Sequence, residues 1–214
     1  MLTERQLQAL ERQKSNKEAY GELATVHPGY LGCQDTYYVG NSYSWLAEVK
    51  LYQEETSLTS ADMLNDRVLP WYQEQRVPIL RILTDRGSEY KGKLESHAYE
   101  LFLSLEGIVH TTTKAYSPQT NGMCERFNRT MQEEFFDTAM RKRLYTDLGS
   151  LQEDLDAWLG YYNKERPHSG KYCYGKTPMQ TFEDSKSIAL EQNNELLSLK
   201  ETTDKHYLTD IETS

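Results

Sequence analysis

The stretch P-I-L-R-I-L-T-D-R-G-S-E-Y, residues 78–90, decides the fold of this chain. Its first seven residues form a short apolar run, which predicts a buried strand over Pro78–Thr84. Asp85 follows at the carboxyl end of that strand, and Gly87 begins a loop. Apolar strands of this kind lie in sheets that helices cover. The stretch therefore predicts an α/β fold with an acidic side chain at a strand end.

Two strands are predicted upstream of this stretch. Residues Leu31–Val39 alternate in polarity and are rich in tyrosine, and Tyr43–Tyr52 form a second β-rich segment. Gly40-Asn41 between them is a two-residue turn signal. Because a turn of that length joins only antiparallel neighbours, it predicts a tight hairpin.

A helix is predicted to follow the hairpin. Thr59 and Asp62 have the spacing of a capping box, and Pro70 is expected to kink the helix or end it near Leu69. Its buried stripe consists of Ala61, Leu64, Val68 and Trp71. The later elements are a helix Leu94–Leu105, a strand Ile108–Thr112, a loop Thr113–Asn121, a helix Gly122–Arg143 and a helix Leu148–Asn163.

The composition is typical of a soluble globular protein. The 214 residues, 37% of them hydrophobic and 27% charged, suffice for one domain with extensions. No run is apolar enough to span a membrane, and residues 1–22 lack the apolar core of a signal peptide, so a cytoplasmic location is expected. Cys33, Cys124 and Cys173 have no zinc-finger spacing and are expected to be structural thiols in a reducing compartment.

The net charge of −9 is unevenly distributed along the chain. Residues 183–214 hold three lysines and eight acidic residues, a net charge of −5. The rest of the chain is only mildly acidic, which does not exclude a nucleic-acid ligand, although it opposes strong binding to phosphate. We therefore divide the chain into a helical linker over 1–29, a core domain over 30–182 and an acidic tail over 183–214.

Three acidic residues are candidate metal ligands. Asp35 lies in the first predicted strand, Asp85 at the end of a buried strand and Glu125 in the first turn of a long helix. Carboxylates suit Mg²⁺, and two such ions about 4 Å apart can activate a water or a 3′-hydroxyl and stabilise the leaving oxygen. Each residue alone also has an ordinary interpretation, as an edge aspartate, a strand-ending turn or an acidic group at a helix N-terminus.

Three ordered motifs resemble the integrase catalytic core of bacterial insertion-sequence transposases, an acidic-triad family similar to retroviral integrases. The motifs are T-D-R-G-S-E-Y at 84–90, S-P-Q-T-N-G-M-C-E-R-F-N-R-T at 117–130 and Y-Y-N-K-E-R-P-H-S-G-K-Y-C-Y-G-K-T-P at 161–178. L-G-C-Q-D-T-Y-Y-V at 31–39 resembles the strand that bears the family's first aspartate. The resemblance covers roughly residues 2–182 and implies a ribonuclease-H-like mixed sheet flanked by helices. It also implies Mg²⁺ or Mn²⁺ as cofactor, and DNA cleavage with strand transfer.

The resemblance also implies roles for individual residues. Asp35 and Asp85 would share one metal ion, and Asp35 and Glu125 would share the other.

Further implied roles concern DNA. Asn121 would form the entry to the catalytic helix, and Arg126 and Arg129 would contact DNA phosphate or brace the site. Solvated helix charges are an equally good interpretation of the two arginines. The implied partners are DNA at element ends and target, a separate helix-turn-helix protein, and further copies of the chain in an active assembly.

The chain differs from the family in its opening strands. The family begins with three antiparallel strands in a meander, whereas two are predicted here. The sheet is therefore expected to lack one strand, with four strands, an exposed edge and a stretched connection at Gln53–Leu58. Low stability and little strand transfer would follow. Three functions remain open: a DNA transposition and integration enzyme, an inactive remnant that acts as an interaction or inhibitory protein, and a stand-alone ribonuclease-H-like nuclease.

Overall fold

The structure, a computed structural model, describes residues 27–35, 38–93, 96–113 and 122–194. Within these residues one mixed sheet has the strand order β3-β2-β1-β4-β5. The three opening strands are antiparallel to one another, and β4 and β5 run parallel to β1. The strands are β1 Gly32–Asp35, β2 Tyr38–Asn41, β3 Ala47–Val49, β4 Arg81–Thr84 and β5 Val109–Thr112.

Five helices flank this sheet in the described part of the chain. Two of them contain a π-helical turn: α1 consists of Ser57–Met63, the π turn Leu64–Val68 and Leu69–Glu74, and α3 consists of Gly122–Met131, the π turn Gln132–Phe136 and Asp137–Lys142. The others are α2 Ala98–Glu106, α4 Leu148–Lys164 and α5 over 178–194. The predicted strand before Asp85 and the predicted long helices are confirmed. None of the described helices has the length and apolar character needed to cross a bilayer.

The prediction that one strand of the meander is missing is wrong. The segment predicted as one strand, Leu31–Val39, contains all of β1 and the first half of β2, and Asp35 pairs with Tyr38. Two antiparallel strands therefore stand where one was predicted, and the alternating polarity of the segment did not reveal the boundary between them. Because three strands precede α1, the chain reaches that helix from the expected side of the sheet. The strained return predicted for Gln53–Leu58 is not required.

The predicted turn at Gly40-Asn41 is also wrong, because both residues lie in β2. Asn41 instead begins the next reversal. Its Oδ1 accepts hydrogen bonds from the backbone N–H groups of Tyr43 and Ser44, at 3.0 and 2.8 Å. Its own N–H donates to the carbonyl oxygen of Leu46. The asparagine is thus a turn residue, but it closes the connection from β2 to β3. The predicted strand Tyr43–Tyr52 is reduced to Ala47–Val49.

Helix α1 begins and continues differently from the prediction. Its capping box joins Thr56 to Thr59, and not Thr59 to Asp62. Asp62 accepts hydrogen bonds from Lys50 and Tyr52 instead. Pro70, which was expected to kink or end the helix, is the second residue after the π turn, and the helix continues to Glu74. The wider turn accommodates a residue that has no N–H to donate.

The apolar core has two parts, one on each face of the sheet. Ile82 and Tyr99 belong to the part that packs against α1, α2 and α5. Leu83 and Phe127 belong to the part under α3 and α4. Helix α5 runs through the predicted boundary between core and tail, and its Phe182 and Ala189 are completely buried. The described start of the acidic tail therefore packs on the core. All three cysteines are free and buried.

Side chains of α4 pair with the edge strand β3. Asn163 accepts a hydrogen bond from the N–H of Ala47 at 3.0 Å and donates to its carbonyl oxygen at 2.8 Å. Gln152 accepts from the N–H of Leu51 at 2.7 Å and donates to the carbonyl oxygen of Val49 at 3.3 Å. The two amides thereby occupy backbone groups that an edge strand would otherwise present to other chains.

Candidate active site

Asp35 and Asp85 lie at the ends of neighbouring parallel strands. Asp35 is the last residue of β1, and Asp85 directly follows β4. The strands pair in the register Gly32 to Ile82 and Cys33 to Leu83. Continued by two residues, this register sets Asp35 opposite Asp85, with backbones about 4.8 Å apart. Because side chains alternate along a strand, both point to the face where Cys33 and Leu83 pack under α3.

Negative charge accumulates at this end of the sheet. A hydrogen bond with Cys33 and burial raise the pKa of the Cys124 thiol, and the charges of Asp35 and Asp85 raise it further. Burial also raises the pKa of the Glu89 carboxyl, with further contributions from Glu55 and Asp85. Neighbouring carboxylates repel one another, so a bound cation would stabilise the acidic side chains at this end of the sheet. Glu89 is not among the residues predicted for the site, although it lies in the same motif as Asp85.

Helix α3 brings a second element to these aspartates. Its buried side chains, Cys124, Phe127 and Met131, face the sheet. Asn128 lies on the side nearest β1 and donates from Nδ2 to Oδ2 of Asp35 at 2.6 Å. Glu125 is one turn closer to the helix N-terminus and is exposed. The sequence analysis did not identify Asn128. The available signal was its position three residues after Glu125, on the same face of the helix.

The structure does not group the three predicted carboxylates. Among the residues that it describes, no three His, Cys, Asp or Glu side chains are placed so that they could hold a metal ion. Asp35 ends β1 and Asp85 follows the neighbouring strand β4, whereas Glu125 lies at an exposed position of α3. The three-carboxylate metal site remains a prediction.

The predicted DNA-binding residues are placed differently from one another. Arg126 and Arg129 are both exposed on α3. The guanidinium of Arg126 lies 5.5 Å from the centre of the Trp45 ring, in the turn between β2 and β3. Asn121 lies outside the described residues. Their contact with DNA remains a prediction.

The third motif is largely structural. Asn163 holds the edge strand, and Arg166 forms an ion pair with Glu134 at 2.6 Å. His168 stacks on Trp45 with ring centres 4.5 Å apart and accepts a hydrogen bond from the N–H of Gly170. Burial, with the nearby charges of Arg166 and Arg126, lowers the pKa of His168 to about 4. The motif therefore fastens α4 and the loop after it to the opening meander.

With this geometry established, comparison with known proteins shows which proteins this chain resembles. The Integrase core domain family matches residues 106–178, which include β5, α3 and α4. The ORF3 protein of Spiroplasma virus SpV1-C74, whose name describes it as an integrase, is 34% identical over 98 residues, 42% of this chain and 26% of that protein. A protein of insertion element IS136 from Agrobacterium fabrum is 28% identical over 109 residues, 50% of this chain and 52% of that protein.

Solved structures confirm the fold. The magnesium-bound catalytic core domain of HTLV-2 integrase, in its trimeric form, is 19% identical. The match has a TM-score of 0.55 and covers 74% of this chain and 99% of that one. The fold is therefore ribonuclease-H-like, as the motifs implied, and residues 106–178 are similar to an integrase core domain. The chain spans between about a quarter and half of the length of the curated relatives it matches.

Proposed function

We propose that this chain is the catalytic core of an enzyme of DNA transposition or integration, which cleaves DNA and transfers a strand in a metal-dependent reaction. The observation that carries the proposal is that Asp35 ends β1 and Asp85 directly follows the neighbouring parallel strand β4, with Asn128 of the Glu125-bearing helix hydrogen-bonded to Asp35. Ribonuclease-H-like proteins serve several chemistries, so this site, and not the fold alone, supports the assignment.

The residues fit a divalent cation at the aspartate pair. Both aspartates offer hard oxygen ligands, and their charges act together on the Cys124 thiol. Asp35 and Asp85 would hold Mg²⁺ or Mn²⁺, and Glu125 would complete the site from α3. Bound metal would supply activation of a water or a 3′-hydroxyl and stabilisation of the leaving oxygen.

The remaining groups of the site position these ligands. Asn128 fixes the carboxylate of Asp35 by donating an amide N–H to its Oδ2. The N–H of Gly87 donates to Oδ1 of Asp85 at 2.8 Å and holds the second carboxylate in the same way. The protein thus fixes both strand-end ligands before substrate arrives.

DNA at element ends and target is the proposed substrate. The mature enzyme would act as an assembly of several copies, and a basic module such as a helix-turn-helix protein would supply phosphate affinity that this acidic chain lacks. DNA binding by the chain itself is therefore expected to be weak and to fall steeply with added salt.

The test is a DNA cleavage and strand-transfer assay with labelled duplex oligonucleotides in Mg²⁺ or Mn²⁺. We expect nicked and joined products that disappear in EDTA, and a loss of at least about 100-fold for Asp85→Asn and for Asp35→Asn, because each removes a metal ligand. Glu125→Gln should cause a similar loss. Glu133→Gln is the matched control, since Glu133 is an exposed glutamate on the same helix.

The products distinguish the alternative functions. Metal-dependent nicking without joining would identify a nuclease. If the folded protein neither cleaves nor joins DNA, with or without a basic partner, it is an inactive remnant. Full activity of Asp85→Asn would contradict the proposed site itself.

A further inference from the structure

The turn between β2 and β3 and the loop after α4 form an aromatic surface that the proposed chemistry does not use. The ring of Tyr43 stacks on that of Tyr172 with centres 4.2 Å apart and an interplanar angle of 6°. Burial, and then the neighbouring Tyr172 and Tyr174, raise the pKa of the Tyr43 hydroxyl, so the third tyrosine lies close to the stacked pair. Tyr174 is 84% exposed. We call Tyr43, Tyr172 and Tyr174 the tyrosine cluster.

Cations accompany these rings. The amino group of Lys171 lies 5.0 Å from the centre of the Tyr172 ring. Lys176 and Arg166 are each neutralised by an acidic partner, Asp184 and Glu134. In the described part of the chain, no ion pair within 4.0 Å involves Lys171. The cluster thus combines the cationic Lys171 with one largely exposed ring, Tyr174, and two half-buried rings on an acidic protein.

A continuous set of contacts joins the cluster to the candidate active site. Arg126, next to Glu125 in α3, lies over Trp45, and Trp45 stacks on His168. A side chain at Gly170 would collide with Trp45, at 2.2 Å from its Nε1, so the loop approaches the tryptophan closely. Lys171 and Tyr172 follow directly. The connection from α3 to the tyrosine cluster therefore consists of packed side chains as far as Gly170 and of the loop backbone beyond it.

The backbone at these positions is strained. Only three non-glycine residues in the described ranges have positive φ, and two are aromatic residues of this region, Trp45 at 63° and Tyr174 at 50°. Bulky residues adopt this conformation rarely and at a cost of about 1–3 kcal/mol. Tyr174 is also largely exposed, so the fold maintains the strain without burying the ring. Strain that presents a ring to solvent is typical of a binding surface.

We propose that the tyrosine cluster, with Lys171, binds an unpaired segment of DNA by stacking bases on its rings and contacting a phosphate with the lysine. This inference rests on the proposed function, because it takes DNA as the ligand. Aromatic rings accept any base, and a cation alongside them follows the backbone, which is the usual construction of single-strand sites. The surface would hold a frayed strand end beside the catalytic helix.

The experiment measures binding of a labelled single-stranded oligothymidine by fluorescence anisotropy, at low salt and in EDTA so that no chemistry occurs. Replacing two rings, Tyr172→Leu with Tyr174→Ala, should weaken binding about 10- to 100-fold, because stacking of one or two bases is lost. The same variant should bind an abasic strand of equal length as the parent does. Tyr172→Phe keeps the ring and should retain affinity. Lys171→Gln should weaken binding of both strands. It should also reduce the slope of log affinity against log salt concentration by about 0.7.

The chain offers a matched control at the far end of α3. Tyr145 is a tyrosine with Arg143 5.2 Å from its ring centre. Tyr145→Leu should leave affinity for both strands unchanged. The inference would be overturned if Tyr145→Leu lost as much affinity as the double variant, or if the double variant lost as much affinity for the abasic strand as for oligothymidine. Parental affinity of a double variant that has native circular dichroism would overturn it as well. Ring-dependent binding with no metal-dependent cleavage would support the surface and contradict the proposed function. Metal-dependent cleavage with ring-independent binding would support the proposed function and contradict the binding surface.

Discussion

The parallel half of the sheet, β1–β4–β5, has helices packed on both faces, whereas the antiparallel half, β1–β2–β3, ends in a three-residue edge strand held by side chains of α4. The first half depends on apolar burial around Ile82 and Leu83. The second also buries apolar side chains, Val39 and Val49 among them, but it depends in addition on the amides of Gln152 and Asn163. Strands too short to form a long ladder can therefore be kept in a sheet by hydrogen bonds from a distant helix.

The largest effect is expected in the parallel half. Ile82 is completely buried in β4, an inner strand of the sheet. Ile82→Ala should lower the free energy of unfolding by about 3–4 kcal/mol, because it removes apolar contacts and leaves a cavity. Urea unfolding followed by circular dichroism measures the loss. Ile188→Ala is the control, since Ile188 is 38% exposed and should cost less than about 1 kcal/mol. Equal losses for the two variants would contradict the central role of β4.

A slightly smaller but more local effect is expected at the edge strand. Asn163→Ala should lower the free energy of unfolding by about 2–3 kcal/mol, because the buried N–H and carbonyl groups of Ala47 lose their partner. Hydrogen exchange of the Ala47 amide should accelerate more than that of β4 amides. Asn65→Ala, at an exposed position in α1, should change stability by less than about 0.5 kcal/mol. Uniform acceleration over the whole sheet would show that the edge is not a separate unit.

The antiparallel half also contains a group that destabilises it at neutral pH. Burial raises the pKa of Glu48 in β3 to about 7, although Arg67 opposes the shift. The folded protein holds this proton more strongly than the unfolded chain, so stability falls as pH rises from about 4.5 to 7. Glu48→Gln should therefore stabilise the protein by about 1–2 kcal/mol at pH 8 and have no effect at pH 4. Glu153→Gln, at an exposed position, should show no such pH dependence.

The smallest effect is expected from the second amide. Gln152 is only partly buried, so Gln152→Ala should cost about 1 kcal/mol through its bonds to Leu51 and Val49. Gln73→Ala, exposed on α1, provides the baseline in the same urea titration. A loss as large as that of Asn163→Ala would mean that the two amides support β3 equally.

The same contrast explains what the sequence could predict. Helix α4 repeats its apolar positions over seventeen residues, and β4 is a buried run before Asp85, so both were predicted closely. Strands β1 and β2 have four residues each, too few for alternation to separate them from one longer strand. Asn41 is a turn residue, as predicted, but it belongs to the connection from β2 to β3 and not to a turn that ends the first strand, because its side chain bonds to residues that follow it.

The candidate site was predicted in part for the same reason. Asp85 was identified by the strand that precedes it, and Asp35 and Glu125 by motif. The bond from Asn128 to Asp35 joins residues 93 positions apart, which no local pattern encodes. The support of β3 by Asn163 spans 116 positions and was equally hidden.

That last separation has a consequence for synthesis of the protein on the ribosome. Strand β3 is complete at Val49, but its partner Asn163 is translated 116 positions after Ala47. At about 5–20 residues per second, the nascent edge remains open for about 6–23 s. During that interval its backbone groups are available to neighbouring nascent chains on a polysome. Translation speed and chaperone supply, more than equilibrium stability, would then decide the yield of soluble protein.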